Sequence, residues 1–528
     1  MRIIFIITNL FVLNVFAQPG INWQKTIGGS SFDFLSSSIF NQIDGFLLGG
    51  NSSSPISGDK IDFNRGVNDV WIIKIDVNGN IDWQKTIGGE NTEGLYKIIN
   101  ESDGGFILGC ASSSNISGEK TENSRGLNDF WLLKIDVFGS IVWQKTIGGN
   151  RIDVLRSIVK TSDNGLIVGG SSDSTISGEK TENPRGNFQN PDFWILKLNQ
   201  DNEIEWQRTI GGDLSDRLLT IQITSDGGYI LGGESNSNSS GEKNENSRGD
   251  FDYWIVKLNN TGEIEWQKTL GGSGLEVFGD LIISQDNGYI VGGYSTSPIS
   301  GDKTLDNYGL FNFWVLKLNS EGEIIWQKVY GGFEGEVLNS IKQKSNGNIL
   351  LAGSSSSNIS GVKTENSRGS SDFWLLEVDE NGEILGQKTI GGSEADSIQD
   401  IFCLDDGRYF LAGNSRSGIS GEKTETNRGE TDYWVMLLEP NALSLDSTLF
   451  SEIKVFPNPT NKILDFRFPT PFTGKIVQTD SLGKVIQTLE IKNQVKFSTE
   501  VLGSDGIYFF TIENENGLSK TVKIVKQE

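Results

Sequence analysis

Short apolar runs separated by turns rich in Gly, Asp and Asn recur along this chain with a period of about sixty residues. In the second copy, Leu95 to Asn100 is a partly apolar run ended by Asp103-Gly104-Gly105, and Phe106 to Ala111 is a second run. A polar loop, Ser112 to Asn128, leads into Asp129 to Asp136, which is dense in apolar and aromatic residues. A turn through Phe138-Gly139 then leads to Ile141 to Ile147. No stretch sustains a helical spacing of apolar residues. Short runs bounded by turn residues predict strands joined as hairpins. The F-W-L-L core is apolar at every position, as expected of a strand covered on both faces. Four short antiparallel strands per unit, repeated radially, predict the blade of a β-propeller.

Tryptophan marks the phase of the repeat. One anchor lies in W-Q-K-T-I-G-G, at Trp23, Trp83, Trp143, Trp206, Trp266 and Trp326, with Gly386 in the seventh copy. The other lies in a D-[FY]-W segment or its near variants, at Trp71, Trp131, Trp194, Trp254, Trp314, Trp374 and Trp434. Fixed anchors at a fixed period mean a repeat architecture. The first W-Q-K-T-I-G-G strand stands alone at the start, and the last repeat, ending at Leu438, lacks one. Pairing the two closes a ring and leaves no free sheet edge. An open solenoid is the alternative, but it would need capping repeats that are not evident. The expected fold is therefore all-β: a seven-bladed β-propeller over residues 18–440, closed by its N-terminal strand and followed by a small C-terminal β-sandwich.

Composition narrows the chemistry. The chain has 528 residues, a net charge of −24, two cysteines and no histidine. The acidic balance argues against nucleic acid or an anionic membrane as partner. Lack of histidine removes Ser-His-Asp and Cys-His nucleophiles and the commonest metal ligand. Cys110 and Cys403 lie in non-neighbouring repeats, so they read as unpaired thiols buried in strands. No phosphate-binding Gly loop precedes a helix. Catalytic, cofactor-binding and metal residues are accordingly expected to be absent.

The two ends carry targeting information. Arg2, the apolar run Ile3 to Phe16, and Ala17 before Gln18 read as a secretory signal peptide over residues 1–17, cleaved between Ala17 and Gln18. That run is short for a bilayer span. Residues 441–450 read as a linker, and residues 451–528 as a separate compact domain. The latter contains Val455-Phe456-Pro457-Asn458-Pro459, the strand from Gly506 through Tyr508, and a Lys-rich end that includes Lys523. These features resemble the type A C-terminal sorting domain of the type IX secretion system of Bacteroidota. The resemblance implies passage across the outer membrane, the secretion machinery as a partner, and release or surface attachment afterwards. The repeat itself resembles propeller-like repeats of exported Bacteroidota proteins. The segment from Asp76 to Trp83 is also similar to the repeat of pyrroloquinoline-quinone dehydrogenases, a likeness of fold.

Two repeated features are candidates for chemistry. An acidic residue follows W-Q-K-T-I-G-G at constant offset: Asp33, Glu93, Asp153, Asp216, Glu276, Glu336 and Asp396. It reads as a structural hydrogen bond or ion pair, with Lys25, Lys85, Lys145, Arg208, Lys268, Lys328 and Lys388 as recurring basic residues. The alternative is a carboxylate ring holding a hard cation. The second feature is the loop S-x-x-I-S-G-E-K-T-E-N-x-R-G, as at Ser114 to Gly126. It departs from the pattern at Ser239, Tyr308 and Val362. It reads as an ordered turn, or as a multivalent binding face. The expected protein is a secreted or cell-surface, monomeric, non-catalytic propeller that binds a glycan or protein. An exported hydrolase or quinoprotein-like oxidoreductase is the alternative.

Overall fold

The computed structural model describes residues 20–41, 45–187, 189–440, 442–443, 453–480, 484–514 and 519–527. The proposed signal peptide, with Ala17 and Gln18, lies outside them. Among the described residues every regular element is a strand. The repeats form seven four-stranded antiparallel sheets. The second is typical: Glu93–Asn100, Phe106–Ser112, Asp129–Ile135 and Ile141–Ile147 pair in chain order. In the last sheet the outer strand is Ile21–Ile27, which pairs antiparallel with Asp432–Leu438. First strands of successive sheets touch one another around the molecule, and that of the seventh returns to that of the first. The sheets thus form a closed, propeller-like ring, and the uncovered residues of the first strands line its central channel.

The core lies between sheets. Phe130 and Leu132 of the second sheet pack with Leu155, Ile158 and Trp194 of the third, all essentially removed from solvent. Gly109 permits this approach, since a Cβ there would lie 2.5 Å from Ile158 and 2.6 Å from Leu155. An aromatic precedes six of the seven buried Trp and packs on the Trp of the next sheet at centroid distances of 4.8–5.3 Å, Tyr253 stacked on Trp314 and the others tilted: Phe130 on Trp194, Phe193 on Trp254, Phe313 on Trp374, Phe373 on Trp434 and Tyr433 on Trp71. The W-Q-K tryptophans are only half-buried. Trp23, Trp83 and Trp326 each donate a hydrogen bond to a turn carbonyl of the next sheet.

The C-terminal strands Lys454–Phe456, Ile463–Thr479, Val485–Glu500, Gly506–Asn514 and Ser519–Lys526 hydrogen-bond as one five-stranded sheet. The pairing of its long central hairpin is irregular between Arg467 and Gly474. It has its own core, including Leu464, Phe466, Phe510 and Ile524. Leu443, read from the sequence as linker, is instead buried against the seventh sheet of the ring.

Candidate functional site

The repeated polar residues are used within the fold. The seven acidic positions are fully buried. Each accepts the N–H of the second glycine of G-G, as in Gly89 to Glu93 at 2.8 Å and Gly149 to Asp153 at 2.7 Å. Ser174 Oγ donates to Asp153, and Ser112 Oγ to Glu93. Across six of the seven junctions a second acid faces the first. This is the Asp that opens the third strand of the preceding sheet, such as Asp69 opposite Glu93 or Asp192 opposite Asp216. Both crowd the first glycine: a Cβ on Gly88 would lie 2.2 Å from Asp69 Oδ1 and 2.9 Å from Glu93 Oε2. Burial pushes Asp192 up to about 8, with the Asp216 charge adding to the shift. Burial likewise raises Asp153, Asp216, Asp372 and Asp432, each to about 6. Apposed buried carboxyls resist ionising together, so the raised Asp of such a pair keeps its proton to higher pH than a free carboxyl does. At the fifth sheet Asn312 takes the Asp position and donates directly to Glu336 Oε2 at 2.6 Å. Among the described residues no group of three or more acids and cysteines is placed to hold a metal.

The basic partner is not the lysine of W-Q-K-T. That residue sits on the outer strand, where Lys268 pairs with Glu323 and Lys328 with Glu383. The charge that faces the acids comes from the loop lysine of S-G-E-K: Lys60, Lys120, Lys180, Lys243, Lys303, Lys363 and Lys423, all buried. Lys120 Nζ donates to Thr146 Oγ1 at 2.8 Å and lies 5.3 Å from the Trp131 ring centroid. Burial lowers each of the seven lysines to about 8. The buried indoles donate to the Gln of W-Q-K, as Trp131 to Gln144 at 3.0 Å. That Gln in turn donates to a loop carbonyl, as Gln144 to Glu119 at 2.7 Å.

The loop also joins neighbouring sheets. Its Arg pairs with the acid of S-G-[ED]-K one repeat on: Arg65 with Glu119, Arg125 with Glu179, Arg185 with Glu242, Arg248 with Asp302, Arg368 with Glu422 and Arg428 with Asp59. Tyr308 and Val362 occupy the seventh such pair of positions. The two departures seen in the sequence are therefore partners. Their joint occurrence in consecutive repeats was the signal that the loop is a clamp.

One cavity breaks the repeat symmetry. It has a volume of about 320 Å³ and opens between the third and fourth sheets at the loop end of the channel. Its polar lining includes Arg156, Asp173, Arg217 and Glu234. In the other repeats the Arg156 position holds Ser36, Tyr96, Leu219, Gly279, Asn339 or Gln399. The Arg217 position holds Phe34, Gly94, Val154, Val277, Val337 or Ser397. Gln189 and Pro191 of the insertion line one side, with the Arg-to-Asp spacing lengthened from four residues to seven. Gln189 has a φ of +75°, a left-handed conformation uncommon for a non-glycine residue. Sequence reading noted the insertion and missed the arginines, which a column-by-column comparison of repeats reveals.

Asp173 pairs with Arg151 at 2.8 Å and accepts the Ile152 N–H at 2.9 Å. Glu234 pairs with Arg217 at 3.1 Å and accepts the Phe278 N–H at 3.3 Å. Burial raises the Glu234 carboxyl, opposed by Arg217 and the Phe278 N–H. Each carboxylate is thus held by an arginine and a backbone donor, not poised as a free acid or base. Two further clefts, of about 410 and 310 Å³, lie at the other end of the strands around Trp326 and Trp266. Of the cysteines, Cys110 is buried and Cys403 is exposed, which corrects the expectation that both are covered.

In the C-terminal sheet the separated parts of the tail motif meet. Val455 and Phe456 end a short strand, and Phe456 lies under the Arg467 guanidinium at 4.8 Å. Beyond Pro457, Asn458 donates to the Lys523 carbonyl at 2.8 Å and accepts the Val525 N–H at 3.0 Å. Thr460, after Pro459, donates its N–H to the Val525 carbonyl. The P-N-P turn thereby fastens to the terminal strand. Tyr508, two residues after Gly506, donates to the Ser504 carbonyl at 2.7 Å. Residues 454–527 match the family model described as Secretion system C-terminal sorting domain. The chain carries a secretion sorting tail. That tail marks it for type IX export to the cell surface or extracellular space. Among the described residues no helix is long and apolar enough to cross a membrane.

No curated protein sequence matches the chain. Solved structures similar to it include puromycin hydrolase, at 13 % identity and a TM-score of 0.38 over 72 % of this chain and 50 % of that one. An apocarotenoid oxygenase from Synechocystis is similar at 10 % identity and a TM-score of 0.38 over 90 % and 96 %. Hydrazine synthase from Kuenenia stuttgartiensis follows at 10 % and 0.35 over 60 % and 76 %. These likenesses are remote, and the fold rests on the strand pairing itself.

Proposed function

We propose that this protein is a seven-bladed, non-catalytic β-propeller of a Bacteroidota cell surface, exported through the type IX system and used for binding or adhesion. Its C-terminal unit is read as the family's sandwich and its first 17 residues as a cleaved signal peptide. One observation carries the binding reading. Ile56, Ile116, Ile176, Ile299, Ile359 and Ile419 of the repeated loop are 59–69 % exposed. The loop around them is ordered: the N–H groups of Ile116, Ile176 and Ile359 donate to Asn123, Asn183 and Asn366. Single exposed apolar residues need no explanation. A rigid apolar residue in six of seven repeats, on a loop otherwise committed to internal hydrogen bonds, has no role in the fold and suits a multivalent contact with glycan or protein. The repeated carboxylates, the groups an enzyme would need, are buried and mutually paired.

The test has two parts. Removal of residues 454–527 should leave the protein inside the cell envelope, while the intact chain reaches the surface or medium. A glycan and surface-protein array probed with the purified chain should give ligands that are lost when the six isoleucines are changed to Ser, the residue native at Ser239. Array ligands retained by that variant would overturn the loop face as the binding surface.

A further inference from the structure

We infer that the cavity between the third and fourth sheets is a binding site for a small carboxylate, separate from the loop face and resting on the reading of the propeller as a binding protein. This cavity gathers charged residues, Arg156 and Arg217 among them, at positions where no other repeat has an arginine. The chain as a whole is strongly acidic, with a net charge of −24, whereas the cavity's lining balances two arginines with two carboxylates, and Arg151 beside it neutralises Asp173. Arg151 and Arg217 are matched by Asp173 and Glu234. Arg156 is exposed and forms no ion pair among the described residues. Its guanidinium lies 4.5 Å from the Tyr96 ring centroid of the second sheet, and that of Arg217 lies 4.5 Å from the Phe251 ring. Stacking on a ring fixes the plane of a guanidinium and leaves its edge donors for a partner. Arg217 bonds Glu234 through Nη1, one of five N–H donors a guanidinium offers in a fixed fork.

The remaining lining is apolar, with Ile152, Val154, Pro191 and Leu219. A volume of about 320 Å³ is at the small end of ligand sites. Planar forks beside an apolar wall suit a carboxylate on a compact carbon skeleton. A sugar-acid unit of a polysaccharide and a free organic acid both meet that description. The held carboxylates line the same cavity and disfavour a multiply charged anion such as phosphate.

The experiment uses the full chain and ligand-observed NMR or calorimetry with D-glucuronate, the monocarboxylate butyrate and neutral D-glucose. Binding of at least one acid and not of glucose is expected, with glucuronate alone indicating the sugar-acid source and both acids the shared carboxylate chemistry. Loss of one charge-assisted hydrogen-bonding partner should weaken binding about tenfold or more in Arg156→Ala and in Arg217→Ala. Melting of each variant, unchanged for Arg156→Ala, separates lost contact from lost fold. No acid binding, equal binding of glucose, or unchanged affinity in Arg156→Ala would overturn the inference. Array ligands that bind through the loop isoleucines would still stand, so the two readings fail separately.

Discussion

Two junctions of the ring depart from the common plan in opposite ways. Between the fifth and sixth sheets the Arg–Glu clamp is replaced by Tyr308 and Val362, and the facing acids by Asn312 and Glu336. Each change is answered by its partner: an ion pair gives way to two apolar groups, and a retained carboxyl proton gives way to an amide N–H. Between the third and fourth sheets, an insertion, two arginines and two held carboxylates leave a cavity. Nothing in the fold requires that cavity. Answered departures preserve a structure, while unanswered ones indicate a use.

Closure of the ring underlies this comparison, and breaking closure has the largest expected effect. Deletion of Asn22 to Gly29 removes the strand paired with Asp432–Leu438 and frees sheet edges. The deleted chain should aggregate on size-exclusion chromatography and lose its cooperative melt. A monomer with unchanged melting temperature would refute closure.

Next in size is the pair of tryptophan positions. Trp374 is fully buried and packs at a tilt against Phe313 across the fifth–sixth junction, whereas Trp326 is half-exposed and Gly386 already replaces its counterpart. Trp374→Ala should lose about 3–5 kcal/mol in denaturant melts, and Trp326→Ala less. Equal losses would mean that the half-buried Trp is as integral to the junction as the buried one.

The acid pairs predict a pH dependence with a definite sign. The folded pKa values of Asp153, Asp192, Asp216, Asp372 and Asp432 lie above the unfolded carboxyl value, so the folded state binds more protons between about pH 4 and 8. Stability from this source is full below pH 4 and is lost as pH rises through about 6 to 8, where Asp153, Asp216, Asp372, Asp432 and Asp192 titrate. The loop lysines, lowered to about 8, act above that window. Thermal melts should therefore give a higher Tm near pH 5.5 than near pH 8. Asp252→Asn, which copies the Asn312 arrangement, should remove on the order of 1 kcal/mol of that difference. A variant with the parent's full slope would show that this junction contributes nothing to it.

The smallest expected effect is the most discriminating. Arg156→Ala should change stability by no more than about 0.5 kcal/mol, because Arg156 is itself exposed and lies over the half-buried Tyr96 ring. A larger loss would make the third–fourth departures structural like those of the fifth–sixth junction, and the contrast would collapse.

Much of the ring was legible in the sequence because its anchors are local. The G-G pair, the D-F-W segment and the hairpin turns each fix a strand end within a few residues, so strand order followed directly. The clamp was not legible from one repeat, since Arg125 meets Glu179 at a separation of 54 residues. The buried lysine was misread for the same reason: Lys145 and Lys120 look equally basic in the sequence, and only packing decides which one faces the acids. The cavity was half legible, because its insertion stands out while Arg156 and Arg217 fall at positions with no fixed residue across the repeats.

The pairing of Ile21–Ile27 with Asp432–Leu438 also sets an order in time. The strand made first is used last. The ring lacks its final partner until residue 438 exists, and the export tail, residues 454–527, is made later still. A chain ended before residue 432 therefore lacks both the partner of its first strand and the export tail. The order of synthesis acts as a proofreading step: by the time a molecule can be recognised for export, everything needed to close its ring has already been made.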